Sequence, residues 1–186
     1  ADAILVNDIY VNAGAFAANG TYTAAAGETV RNWVAMGASD APYVGTFDGN
    51  GKTISGLYLN KTGTTAEDRF VGFVSYLGEA GTVKNLNIAN SYFYGNRSVA
   101  AVVSQNKGTV EGCVNNAYVG SSDMTCGGVV ATNYGAVKNC TNNGTVSSSG
   151  TSVGGVVGKN ESAGSVTDCT NTGSVTSTYK YAGGIV

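Results

Sequence analysis

The chain has 186 residues, a formal net charge of -2 and only 12% charged residues. This length suits one domain with a continuous core. The 28 glycines and single proline, with many Val, Thr, Ser and Asn residues, favour short strands and tight turns over helices. We expect no nucleic-acid partner, because there is no Lys/Arg stripe to neutralise phosphates. We also expect no membrane insertion, because no apolar run approaches the roughly 20 residues of a spanning helix.

The first part of the chain is irregular. Residues 4–6 and 9–11 read as strands, residues 13–29 as an Ala/Gly/Thr-rich loop, and the only tryptophan follows at Trp33. Terminal units of a repeat protein must differ from internal ones, because they cover an open end of the core. We therefore predict an N-terminal cap and first coil over residues 1–44, followed by repeats over residues 45–186.

A repeat with a period of 27–29 residues governs the rest of the chain. It is clearest where Gly127-Gly128-Val129-Val130 recurs as Gly154-Gly155-Val156-Val157. A fixed period of this size is typical of stacked solenoids. We predict about six coils, and the sequence stops inside a further copy of the repeat.

Apolar residues occupy the same position in successive copies, which we call a column. Alternate side chains of a strand face opposite ways, so apolar columns with polar neighbours predict inward ladders of a parallel β-solenoid. The third column requires one extra residue near Ala89. The columns are Ile54, Val83, Val110, Val137 and Val166; Phe70, Val99, Cys126, Val153 and Ala182; and Phe93, Val119, Val146 and Val175.

Asparagines form two further columns near predicted turns. We expect some of them to adopt the left-handed backbone of sharp corners, which Asn tolerates. Stacked Asn amides can also hydrogen-bond from coil to coil. The columns are Asn106, Asn133 and Asn160, and Asn115, Asn142 and Asn171.

Residues 45–57, which read GTFDGNGKTISGL, resemble the segment that opens many bacterial GLUG-repeat proteins. The later copies of the form G-G-(I/V)-V-G-x-N and G-x-V-x-x-C are also similar, and the resemblance covers about residues 30–186. It implies a right-handed parallel β-helix in secreted or cell-surface proteins. Members include adhesins and the non-catalytic arms of immunoglobulin-A-type metallopeptidases.

The residue types for common catalytic sites are sparse. The chain has no histidine and no C-x-x-C pair among its four cysteines. Cys113, Cys140 and Cys169 share a column, which leaves open free buried thiols, one stacked disulfide or, less in keeping with the spacing, a metal. Asp48 lies in a D-G-N-G segment that favours a tight turn over a calcium loop. We predict no enzyme, no metal site and no cofactor.

An outward column of alternating charge, Lys84, Glu111 and Lys138, predicts a charge ladder that helps the register of the strands. Its members lie on different coils. We interpret them as a solvated face.

Tyr92, Tyr94 and Tyr118 form the candidate contact surface. The columns place Tyr92 and Tyr118 outward and stacked, with Tyr94 on the same strand as Tyr92. Exposed rings on a flat sheet suit sugar rings or a protein partner. The alternative is that these rings only shield a glycine-rich backbone.

These observations favour a non-catalytic structural or adhesive module of a secreted or cell-surface bacterial protein. Its expected partner is a protein or glycan on a host or neighbouring cell. The strands of residues 4–6 and 9–11 could also cover the last coil of another copy, which would give a head-to-tail fibre. The alternatives are a non-catalytic arm of a large secreted peptidase or glycan-active enzyme, and a glycan-cleaving β-helix that uses Asp48 or Lys52.

Overall fold

A computed structural model describes residues 1–17, 21–63 and 65–186, and it confirms an all-β solenoid of parallel sheets. The chain passes through the same walls once in each turn, and equivalent strands pair with their neighbours in the next turn. Among these residues, the one helical element is a 3-10 turn at Ala66–Arg69. Within the described ranges, no helix has the length and hydropathy needed to cross a membrane.

The N-terminal segment covers the first turn and adds a small hairpin. Two strands pair in parallel with the turn that follows, and two others pair antiparallel with each other. The predicted loop over 13–29 therefore contains the hairpin strands, and residues 18–20 of that loop lie outside the described residues. The four strands are β1 (Ala3–Ile4), β2 (Ile9–Tyr10), β3 (Ala15–Phe16) and β4 (Tyr22–Thr23).

Four complete turns follow, and then a partial one. The first contains β5 (Thr46–Asp48), β6 (Thr53–Ser55), β7 (Tyr58–Lys61), β8 (Phe70–Val71) and β9 (Val74–Leu77). The second contains β10 (Thr82–Lys84), β11 (Asn87–Gly95), β12 (Ser98–Ala100) and β13 (Val103–Asn106). The third contains β14 (Thr109–Glu111), β15 (Val114–Ser121), β16 (Thr125–Gly127) and β17 (Val130–Asn133).

The fourth turn contains β18 (Ala136–Lys138), β19 (Thr141–Asn142), β20 (Val146–Ser148), β21 (Ser152–Gly154) and β22 (Val157–Asn160). The partial turn contains β23 (Ser165–Thr167), β24 (Thr170–Asn171), β25 (Val175–Ser177) and β26 (Tyr181–Gly183). The predicted number of about six coils is therefore too high. Six strands are stacked only in the two walls to which the N-terminal strands and the partial turn both contribute.

Four sheets form the walls. Sheet 1 has the order β1-β5-β10-β14-β18-β23, and sheet 2 has β2-β6-β11-β15-β19-β24, with β7, β20 and β25 alongside. Sheet 3 has the order β8-β12-β16-β21-β26, and sheet 4 has β9-β13-β17-β22. Each wall turns into the next at a short corner, so the side chains facing inward from all four sheets meet in one core.

The predicted columns are correct from the second turn onward. Val83, Val110 and Val137 are paired in register and fully buried. The column of Phe93, Val119, Val146 and Val175 is also confirmed, including the extra residue after Ala89, where the register shifts. Burial of these apolar ladders is the main favourable contribution to folding.

Two assignments in the first turn are wrong. Phe47, not Ile54, pairs with Val83, while Ile54 pairs with Ile88. Val71, not Phe70, pairs with Val99. The first turn has a longer path because it contains the extra turn at residues 49–52 and the 3-10 segment.

Both asparagine columns are hydrogen-bonded ladders. The Nδ2 of Asn106 donates to Asn133 Oδ1 at 2.7 Å, and Asn133 donates to Asn160 in the same way at 2.7 Å. Asn115, Asn142 and Asn171 repeat the pattern at 2.8 Å per step. These asparagines do not have positive φ, so their predicted corner role is wrong. The left-handed residues of the repeated corner are Asn85, Gly112, Asn139 and Asp168, each directly before the position of the stacked cysteines.

The predicted charge ladder is also present. Lys84, Glu111 and Lys138 pair in register, and Lys138 Nζ lies 3.2 Å from Glu111 Oε2. Asp48 extends the ladder by one turn, because its carboxylate lies 3.3 Å from Lys84 Nζ. Both pairs are partly exposed, so each contributes only tenths of a kcal/mol.

Candidate contact surfaces

The predicted tyrosines lie on the outer face of sheet 2, where they belong to a longer stack of rings. Tyr92 pairs with Tyr58 in the preceding turn and with Tyr118 in the following turn. The Tyr92 and Tyr118 ring centroids are 5.1 Å apart with planes at 6°, and the Tyr58 and Tyr92 centroids are 5.7 Å apart at 21°. In-register parallel pairing therefore produces an aromatic ladder from identical positions of successive turns.

Tyr92 is not an exposed contact residue, and the prediction that its ring is open to solvent is wrong. It is only 5% exposed, because Tyr58 and Tyr118 cover its two faces and Tyr94 lies beside it at 6.2 Å. Burial raises the pKa of Tyr92 to about 12. Tyr92 therefore supports the rings around it, while Tyr94 and Tyr118 remain half-buried and accessible.

A glycine determines how the accessible rings lie. A Cβ at Gly120 would meet the ring atoms of Tyr118 and Tyr94 at 2.8 to 2.9 Å. The rings thus pack over bare backbone, as the shielding alternative proposed. Shielding and contact are compatible here, because the outer faces of Tyr94 and Tyr118 are still exposed.

Sequence reasoning missed three further rings of this surface. Tyr58 continues the ladder, and Phe16 stacks on Tyr58 with centroids 5.3 Å apart and planes at 11°. Tyr22 stacks on Phe16 at 4.7 Å. Tyr58 could have been found, because it precedes Leu59 just as Tyr92 precedes Phe93 and Tyr118 precedes Val119. The hairpin rings lie outside the repeat, so no column identifies them.

The three cysteines predicted to stack do so, with Cys113 and Cys140 buried in the core and Cys169 partly buried against it. The Sγ atoms of Cys113, Cys140 and Cys169 all face the carbonyl oxygen of the residue two positions earlier, at 3.5, 3.3 and 3.2 Å. The fourth, Cys126, is buried in the column of Val99 and Val153. All four are free thiols.

A hydrogen bond with Cys113 and burial raise the pKa of Cys140 to about 12, and burial raises the pKa of Cys126. The raised pKa values keep the Cys126 and Cys140 thiols protonated and unreactive at neutral pH.

Asp48 has the role of a turn residue. Its Oδ1 accepts hydrogen bonds from the backbone N–H of Asn50 at 2.8 Å and from Asn85 Nδ2 at 3.2 Å. The Asn50 bond, with help from Asn85 and Lys84, lowers the pKa of Asp48. Among the described residues, no group of three His, Cys, Asp or Glu side chains is arranged to hold a metal ion.

Comparison with known proteins identifies the repeat. The model of the GLUG motif family matches residues 149–176, which begin just after β20 and end within β25. This match supports the resemblance to GLUG-repeat β-helix proteins. It covers one unit of the repeat.

Two larger similarities extend beyond that unit. The chain is 38% identical over 85 residues to halomucin of Haloquadratum walsbyi, a stretch that includes 46% of this chain but only 1% of halomucin. Its fold is similar to the crystal structure of a Bacteroides ovatus protein described provisionally as an immunoglobulin A1 protease. That match has a TM-score of 0.57, 16% sequence identity, and coverage of 97% of this chain and 67% of the other. At this identity, the structural match supports the fold alone.

Proposed function

We propose that this chain is a non-catalytic structural and adhesive module of a secreted or cell-surface bacterial protein. The observation that carries the proposal is the continuous stack of four parallel sheets around one apolar core. Such a stack is a stiff spacer, because each turn contacts its neighbours through backbone hydrogen bonds and buried side chains. The similarity to halomucin, of which the matched stretch covers only 1%, supports a role as a module within a very large protein.

In its adhesive role, the module contacts its partner through the aromatic ladder. The accessible rings of Tyr94 and Tyr118 suit the apolar face of a sugar ring or a protein surface. The partner is a protein or glycan on a host or neighbouring cell. Tyr92 holds these rings in place and does not itself contact the partner.

The test is binding of the purified chain to an array of glycans and to intact cells. Tyr118→Ala should weaken adhesion, while Tyr118→Phe, which keeps the ring, should retain it. The same samples incubated with polysaccharide and protein substrates should release no products. Product release that is abolished by replacing Asp48 or Lys52 would contradict the non-catalytic assignment.

We also propose that the isolated chain associates end to end. Strands β1 and β2 pair with the first turn through one edge, so their other edge is open, and the last turn is open at the opposite end. Ile4 and Val6 at the first end, and Tyr181 and Val186 at the other, are at least half exposed. Open strand edges with apolar side chains are templates for pairing with another copy.

Light scattering over a range of concentrations, with electron microscopy of the same samples, tests this association. Ile9→Lys adds a charge at the open edge and should reduce the assembled fraction. Val34→Lys adds the same charge at a site that is 85% exposed and is not in a strand of the first or last turn, so it should have no effect. A strict monomer at all concentrations would exclude the fibre.

A second candidate is a non-catalytic arm of a larger secreted peptidase or glycan-active enzyme. The similarity of fold to the Bacteroides ovatus protein over 97% of this chain favours it. The gene sequence on both sides of this chain tests it, since an adjoining catalytic domain would support it.

A further inference from the structure

A polar groove runs along the outer corner between sheets 3 and 4, away from the aromatic ladder. It encloses about 420 Å³, and its walls include Ser98, Thr125 and Ser152 from three successive turns of sheet 3. At this corner glycine occupies the end of β16 and of β21, and Ala100 occupies the equivalent end of β12. A Cβ at Gly127 would overlap the carbonyl group of Val130, and one at Gly154 would overlap that of Val157. In the third and fourth turns, glycine thus allows the backbones of sheets 3 and 4 to approach closely at this corner.

Hydroxyl and amide groups face one another across this groove. Ser98 Oγ lies 3.4 Å from both Thr132 Oγ1 and Gln105 Nε2. Within the described parts of the chain, the side-chain hydroxyls of Thr125 and Ser152 have no hydrogen-bond partner. A hydroxyl can both donate and accept. The groove therefore suits a ligand that presents hydroxyl groups along an extended chain.

The walls are less suited to an extended peptide. Strands β12 and β16 of sheet 3 are paired on both edges, as are β13 and β17 of sheet 4. Their backbone groups are occupied by the sheets, so a peptide could not add to them as a further strand. Recognition has to come from the side chains.

The charged side chains of the groove leave it with a net positive charge. The guanidinium of Arg97 contacts Met124 Sδ at 3.1 Å, and no carboxylate in the described chain lies within 4 Å of it. The other charges in the groove are Lys159 and Glu161, which neutralise each other at 2.7 Å. Arg97 therefore offers unused donors with the planar geometry that pairs with a carboxylate.

Aromatic rings close one end of the groove. Phe70 packs on Tyr76 with centroids 4.7 Å apart, and both rings are partly exposed. Phe70 also lines the adjoining cleft of about 750 Å³, whose walls include Trp33 and Tyr76. The two depressions thus share a wall, and a long ligand could occupy both.

From these features we propose that the polar groove binds a linear glycan that carries carboxylate groups. Sugar hydroxyls lie on Ser98, Thr125, Thr132 and Ser152, a sugar carboxylate pairs with Arg97, and a ring face packs on Phe70. This inference rests on the proposed adhesive function and gives it a second site and a class of ligand.

The experiment compares binding of polygalacturonate, its methyl-esterified form and polyglutamate to the whole chain by calorimetry. Polygalacturonate should bind more tightly than the ester, which lacks the charge, and than polyglutamate, which lacks the sugar. Arg97→Gln should weaken binding at least about tenfold, and Thr132→Val, which keeps the shape, roughly three- to tenfold. Lys107→Gln removes an equal charge from an exposed side chain in the turn between β13 and β14, outside the groove, and should leave affinity unchanged.

The groove assignment is overturned by equal binding of polygalacturonate and its ester, by equal loss from Arg97→Gln and Lys107→Gln, or by no binding of polygalacturonate at all. If Tyr118→Ala abolishes binding while Arg97→Gln does not, the groove assignment fails and the adhesive role of the aromatic ladder stands. Adhesion to intact cells, measured on the same variants, tests the broader function separately.

Discussion

At the scale of single residues, the buried asparagines have a more demanding role than the apolar residues beside them. Asn142 is fully buried, and its amide uses both ends: Oδ1 accepts from Asn115, while Nδ2 donates to Asn171 and to the Gly144 carbonyl at 2.9 Å. A hydrophobic residue can be exchanged for another of similar volume at moderate cost. An amide in the middle of a ladder has no such substitute.

We expect Asn142→Ala to lower the free energy of unfolding by about 2–3 kcal/mol, because it removes the ladder partner of buried Asn115 and of partly buried Asn171. Asn143→Ala is the matched control. Its side chain is exposed, donates to Asn116 Oδ1 at 3.0 Å and accepts from Thr172 Oγ1 at 2.7 Å. Both bonds are exposed to solvent, so the substitution should cost no more than about 0.5 kcal/mol. Urea unfolding of the three proteins measures both values. Equal losses of stability in the two variants would show that the buried asparagine ladder contributes no more than the exposed asparagines beside it.

Tyr92 makes stability depend on pH in the alkaline range. Its pKa is raised to about 12 in the folded protein, from an ordinary value of 10.0. Between these values the unfolded chain loses the Tyr92 proton while the folded protein retains it, so stability should fall as pH rises from about 10 to about 12. Below pH 10 the tyrosine contributes no slope.

Thermal unfolding of wild type and Tyr92→Phe across this range measures the effect. The variant cannot ionise at this position, so its melting temperature should fall less steeply with pH. Parallel curves would contradict the assignment to Tyr92. The raised pKa of Cys140 acts in the same direction in both proteins and does not affect the comparison.

At the scale of elements, corners decide how closely the turns stack. Gly128, Gly155 and Gly184 follow equivalent strands of sheet 3 in three successive turns. A Cβ at Gly128 would overlap the Gly155 carbonyl and the Asn142 amide, whereas one at Gly184 would meet nothing within 4 Å. Among these three turns, the position is thus crowded at Gly128 and Gly155 and open at Gly184.

We predict that Gly128→Ala destabilises the protein by about 1–3 kcal/mol, because backbone of the next turn must move. Gly184→Ala, at the equivalent position, should change stability by no more than about 0.5 kcal/mol. Chemical denaturation of both variants tests the pair. A similar cost at the two positions would mean that intrinsic backbone preference, and not contact with the next turn, explains the glycines.

The elements also show what could be predicted from the sequence. Val83, Val110 and Val137 were placed correctly because several copies of the repeat could be aligned. Phe47 was missed because its turn contains additional residues that no other copy shares, so the period gave no register there. The members of the charge ladder and the neighbouring tyrosines could be inferred from the columns. The fraction of each ring that is covered by its neighbours could not. That is why Tyr92 was expected to be exposed.

The polar groove was beyond sequence reasoning for a different reason. Its residues come from two sheets, and they meet only because the corner after β16 and β21 is sharp. Gly127 and Gly154 are visible in the sequence as a repeated Gly-Gly pair. Their effect on the angle between sheets 3 and 4 depends on which carbonyl each glycine faces, and that information is three-dimensional.

At the scale of the whole molecule, stability should vary along the solenoid axis. The middle turns have a neighbour on both sides, and Val103, Val110, Val130 and Val137 are fully buried. The equivalent residues of the last turn, such as Val166 and Val175, are only partly buried. In a stacked structure each turn is stabilised by its neighbours, so an end turn has about half of these contacts.

Hydrogen exchange should therefore be slowest in β13, β14, β17 and β18 and faster in β23 to β26. Native-state exchange with mass spectrometry measures this gradient, since local opening of an end turn does not require global unfolding. The control is exchange in a concentration of denaturant that unfolds the whole chain, where the gradient should disappear. Uniform protection of middle and end turns would contradict this expected gradient, or would show that the ends associate.

The two asparagine ladders have one direction. In both, each Nδ2 donates toward the turn of higher residue number, and Asn171 donates to Gly173 at 3.0 Å at the end of one of them. An added unit can continue that ladder only if it presents an amide oxygen at this point and keeps the orientation of the strands. Duplicated units of 27 residues would meet the condition automatically, whereas inverted or register-shifted units would not. The asparagine ladders therefore determine which units can be added, and the number of duplicated units, in evolution or by design, sets the length of the solenoid.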